Sequence, residues 1–147
     1  MGGHPWFYYV DYEPDIDAAL QKLRHREFLA GRYNPATPFP EFPVDVNAPS
    51  IGAQHSSIEE AFEDADADGT RSILDMMNVS DTPDYCVVAP LPEEKLTELF
   101  GTDQPTYEMI EDSEELYEVL ERGQSVYIIA YKDDEPSKIL FAGYSFD

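Results

Sequence analysis

The sequence predicts a single α+β domain, residues 1–147, with a mainly antiparallel β-sheet and about four helices. Three observations carry this expectation. The segments read in the order β-α-loop-α-β-β-α-α-β-β, not as alternating βα units. The C-terminal stretch "QSVYIIAYKDDEPSKILFAGYS" reads as two strands around a turn. A chain of 147 residues that is 42% hydrophobic supplies one core, with no domain-separating linker and no internal repeat.

"WFYYVDY", from Trp6 to Tyr12, is a dense run of aromatic and β-branched residues and reads as a strand. Alternation puts Trp6, Tyr8 and Val10 on one side and Phe7, Tyr9 and Asp11 on the other; with both sides covered, the run is core. Next, Ile16, Ala19, Leu20, Leu23 and Ala30 mark one helical face, and Gly31 is placed to end that helix. Its acids come early and its bases, Lys22, Arg24, His25 and Arg26, come late, as the helix dipole favours.

Residues 32–56 form a long proline-rich loop. Phe39, Phe42, Val44 and Val46 in it are expected to pack against the body, since a freely moving loop gains nothing from them. "SSIEEAFEDA" restarts a helix, with Ser56 and Glu59 spaced as a capping box. "RSILDMMNV" and "DYCVVAPL" read as two strands joined through "SDTPD". "LPEEKLTELFG" and "DSEELYEVLERG" read as two further helices, the second capped by Asp112 and Glu115 and ended by Gly123. The last two strands form a hairpin, whose first arm is apolar on both faces and therefore central in the sheet.

Thirty-one acids against nine lysines and arginines give a net charge of −22. Such a surface repels nucleic acid and anionic membranes, so neither direct nucleic-acid binding nor a membrane role is expected. The acidity fits either a soluble face in a salt-rich or generally acidic proteome, or a surface that docks on a basic protein. No segment has the length or apolarity of a bilayer span or a leader, and the reading is a soluble cytoplasmic protein. The lone Cys86 lies in an apolar run and reads as a buried small hydrophobe; no disulfide can form within the chain.

One motif invites a metal reading. From Asp64, "DADADGTRSILD" has Asp64, Asp66 and Asp68 at loop positions 1, 3 and 5, glycine at 6, Thr70 at 7 and Asp75 at 12, the spacing of a calcium loop. Its surroundings argue otherwise. No amphipathic helix follows, Arg71 stands at position 8, no second copy braces it, and DxDxDG arises easily in so acidic a chain. The favoured reading is a helix end turning into a strand.

An enzymatic or small-anion site is the alternative function. Arg32 and Tyr33 follow Gly31, while His55 precedes the second helix, whose first N–H groups can receive an anion. With Arg24 and Arg71 they make a candidate phosphate or carboxylate site, His55 carrying protons. The plainer role for the arginines is pairing with neighbouring acids. Glu27 falls on the otherwise apolar face of the first helix and, if buried, requires a partner such as arginine, as a structural pair or as an active-site acid.

No glycine-rich phosphate loop, nucleophile elbow, zinc-protease signature or dinucleotide fingerprint occurs, and no cofactor is assigned. The leading expectation is thus a non-enzymatic protein-binding or regulatory module with a basic protein partner. Tyrosine, phenylalanine and tryptophan supply its anchors, and its oligomeric state is left open.

Overall fold

Alternation along the aromatic run produces the first strand as expected. In β1 (Pro5–Asp11), Trp6 and Tyr8 are buried on one face, while Phe7 and Tyr9 are half-buried on the other. The computed structural model describes residues 4–121 and 123–146. Gly123, expected to end a helix, instead precedes β4 (Ser125–Lys132), which forms a hairpin with β5 (Glu135–Tyr144). Asp133 and Asp134 turn the hairpin, both with positive φ, as a two-residue type I′ turn requires.

The sheet order is β1-β5-β4-β3-β2, with β2 at Asn78–Val79 and β3 at Val87–Pro90. β1 and β4 flank β5 antiparallel, but β3 runs parallel to both β4 and β2. The sheet is therefore mixed, not mainly antiparallel. The cause is the crossover of residues 91–124, which leaves the end of β3 and re-enters the sheet at its start, so the next strand runs in the same direction. Residues 80–86, the expected junction through "SDTPD", likewise carry the chain back as a wide loop, so that β2 and β3 pair in parallel.

Helix α1 (Ile16–Ala30) starts at Asp15, whose carboxylate accepts from the Ala18 N–H. It buries Ala19, Leu20, Leu23 and Phe28 and ends at Gly31 in the left-handed conformation. A side chain at Gly31 would collide with the Gly52 carbonyl, so glycine here both ends the helix and admits the returning loop. Helix α2 (Ile58–Ala65) is capped by Ser57, not Ser56; the Ser57 hydroxyl accepts from the Glu60 N–H, while the Ser56 hydroxyl donates to the Glu60 carboxylate.

Most of "RSILDMMNV" is not strand. Ser72 accepts from the Leu74 N–H and Ile73–Asp75 closes into a 3₁₀ turn, a local bonding pattern that competes with the ladder. Helix α3 (Glu93–Phe100) forms as expected, but the next helix is displaced: α4 spans Tyr107–Glu111, capped by Thr106. The expected helix from Asp112 yields only a 3₁₀ turn at Glu115–Val119. In an α-helix, Glu111 would face Glu115 and Glu114 would face Glu118, like charges one turn apart.

Apolar side chains cover both faces of the sheet. On one, α1, the long loop and the Ile73–Asp75 turn pack on Trp6, Tyr8, Val88, Ile139 and Phe141. On the other, α3, α4 and the turn at Glu115–Val119 pack on Ile128, Ala130, Leu140 and Ala142. Phe42 and Val44 of the loop join the first core, whereas Phe39 and Val46 are 61% and 54% exposed, so only half of the loop's expected anchors pack inward. Among the described residues no helix is long and apolar enough to cross a membrane.

Candidate functional site

The end of α1 brings Glu27 and Arg32 together. Glu27 is fully buried, and Arg32 grips its carboxylate with Nε at 2.8 Å and Nη2 at 2.6 Å. Arg26 adds a third donor at 2.8 Å. Hydrogen bonding to Glu27, chiefly, raises the Arg32 pKa above its usual value. The exposed part of Arg32 opens on a cavity of about 360 Å³ within the loop, where Asp45 adds a further negative charge.

Tyr33, one residue on, turns inward and is completely buried, its ring stacked on Phe28. Its hydroxyl accepts from the Gln54 N–H at 3.1 Å and lies 2.8 Å from His55 Nδ1; His55 Nε2 lies 2.9 Å from Asp64. One proton arrangement satisfies every contact: the phenol donates to Nδ1, and Nε2–H donates to Asp64. The chain has the form of a nucleophile, base and orienter, but its phenol end is walled in, so what it does is tie the loop and α2 to the end of α1.

Arg71 stands apart from these groups. Its guanidinium donates to the Pro38 carbonyl at 2.6 Å, lies 4.4 Å from the centre of the Phe39 ring, and has Asp68 at 3.8 Å. Phe39 is thus a seat for Arg71, which explains an exposed phenylalanine in the loop.

The acids of the calcium-like stretch point different ways. Asp64 binds His55 at the end of α2, Asp66 and Asp68 are exposed on a 3₁₀ turn, and Asp75 is buried. Asp75 Oδ1 accepts from Thr70 N–H at 2.7 Å and from its hydroxyl at 2.8 Å. Gly69 adopts a positive φ, and a Cβ there would lie 2.5 Å from Phe146 and 3.0 Å from Asp75. Its role is close packing over the Asp75 carboxylate. No group of three or more histidine, cysteine, aspartate or glutamate side chains among the described residues is arranged to hold a metal ion.

A different surface carries an arrangement the sequence reading missed. Beside α3 and α4 lies a shallow groove of about 360 Å³, lined by Leu99, Phe100 and Met109 together with Asp112, Ser113, Glu114 and Glu115. Eleven of the 31 acids lie between residues 93 and 121, with Lys95 the one base in that span. The charge run was visible in the sequence; its meeting with Leu99, Phe100 and Met109 depends on where α4 begins.

Comparison with protein-family models, with curated proteins and with solved structures finds no match to this chain.

Proposed function

We propose that this protein is a non-enzymatic binding module whose α3–α4 groove receives a basic segment of a partner protein. The observation that carries the reading is the mixed lining of the groove: Met109, 37% exposed, shares it with Leu99 and Phe100 and with the carboxylates of Asp112, Glu114 and Glu115. A lysine- or arginine-rich segment with one apolar anchor meets both features at once. The anchor is desolvated against the apolar side chains, and the charges steer the encounter and fix the orientation. The candidate catalytic groups favour this reading over an enzyme, because Arg32 and Tyr33 are engaged with buried neighbours.

The test is capture of partners from source-cell lysate on the wild-type protein and on a Met109→Lys variant, washed at about 0.5 M salt to screen purely electrostatic attraction. A stoichiometric basic protein held by the wild type and lost by Met109→Lys supports the groove. Equal retention by both moves the interface elsewhere. Enrichment no greater than on a charge-matched acidic control removes the binding module itself.

A further inference from the structure

On the opposite face of the sheet, α1 and α2 enclose a cleft of about 260 Å³ beside Arg24. Arg24 is the one described arginine with no carboxylate within 4.0 Å, in a chain carrying 31 acids. It donates one hydrogen bond, from Nη1 to Gln21 at 2.8 Å, and its Nε is buried without a partner. Gln21 in turn donates to the Met77 carbonyl, which fixes the amide to receive Arg24. Burial lowers the Arg24 pKa, against a weaker opposing pull from Asp17. A half-desolvated guanidinium left under-bonded is costly unless something else completes its coordination.

The other walls say what that is. Ile58, Phe62 and Leu74 give the cleft an apolar body, and Met77, 56% exposed, stands at its edge. Glu59 and Glu63, one turn apart on α2, line the same cleft without pairing to Arg24. A simple anion would be attracted by Arg24 and repelled by the two glutamates. A simple cation meets the reverse.

We infer that the Arg24 cleft binds a small apolar zwitterion of the α-amino-acid class, its carboxylate on Arg24, its ammonium toward Glu59 and Glu63, and its side chain against Ile58, Phe62 and Leu74. Carboxylate recognition by arginine, ammonium recognition by paired acids and an apolar slot together define the ligand, where any one alone would not. This site is independent of the α3–α4 groove, and either can fail without the other.

The experiment is titration of the full chain with L-leucine, L-methionine and L-phenylalanine, followed by calorimetry and by amide chemical shifts around Arg24 and Met77. L-leucinamide, which lacks the carboxylate, and N-acetyl-L-leucine, which lacks the ammonium, are the controls. Saturable binding is expected for at least one amino acid, weakened about 10-fold or more in the amide and in Arg24→Met. Glu59→Gln with Glu63→Gln, exposed changes that keep the fold, should weaken the amino acid while leaving the N-acetyl form no worse. Absence of binding at about 10 mM, a range where even weak millimolar complexes are populated, overturns the site. So does equal binding of L-leucinamide, of N-acetyl-L-leucine, or of Arg24→Met.

Discussion

Arg32 closes on Glu27 through two hydrogen bonds, Nε to Oε1 at 2.8 Å and Nη2 to Oε2 at 2.6 Å, around a carboxylate that has no solvent exposure. Arg32→Ala leaves that charge in place with Arg26 as its remaining cation, itself 38% exposed. Removing one partner of a buried pair costs about 3 kcal/mol or more. Urea unfolding should show that loss as a lower midpoint at unchanged slope. A loss below about 0.5 kcal/mol, the range of ordinary surface changes, would mean that the pair contributes nothing beyond a surface contact.

Tyr33 holds the second constraint on the loop. Tyr33→Phe keeps the ring and its stack on Phe28 but deprives the Gln54 N–H and His55 Nδ1 of their partner. The expected destabilisation is about 1–2 kcal/mol, with faster hydrogen exchange at Gln54. Asp64→Ala, at the 62% exposed end of the same chain, should cost less. The reverse ranking would move the anchor from the phenol to the ion pair.

Calcium should leave the protein unmoved. Thr70 bonds to Asp75 Oδ1, Asp64 is engaged with His55 and Asp68 lies 3.8 Å from Arg71, so four of the five loop positions already have partners inside the fold. At about 1 mM calcium, enough to occupy even weak extracellular loops by half or more, the melting temperature should match that of an ionic-strength control. A specific rise of more than about one degree would require these contacts to reorganise around the ion.

The parts of this fold written in local periodicity were legible. The stripe from Ile16 to Leu23, the stop at Gly31 and the alternation of Trp6 and Tyr8 each follow from one segment's own pattern. Strand direction does not, because β3 becomes parallel to β4 through a crossover whose path no single residue encodes. In the same way, Glu27's position on the apolar face called for an arginine, but its supply by Arg32 depends on the chain folding back after Gly31. The groove was hidden for a related reason. Thr106, not Asp112, caps α4, and only that shift sets Met109 beside Leu99 and Phe100.

Alkali is where the aromatic richness of the core should show. Burial, foremost, raises the pKa values of Tyr8, Tyr9 and Tyr117; the charge of Glu27 adds to the first and that of Glu111 to the other two. In the unfolded chain these phenols ionise near pH 10. A folded pKa above the unfolded one means that the unfolded state binds fewer protons once pH passes about 10, so stability is full below that point and declines above it. Each fully protected phenol contributes a slope of about 1.4 kcal/mol per pH unit, less for the half-buried Tyr9 and Tyr117. Urea unfolding between about pH 8 and pH 11 should therefore be flat at first and then fall. Tyr9→Phe and Tyr117→Phe remove titrating groups whose hydroxyls make no hydrogen bond with the described residues, and should flatten the fall. Stability that stays level to about pH 11 in the wild type would show that these phenols ionise as readily in the fold as out of it.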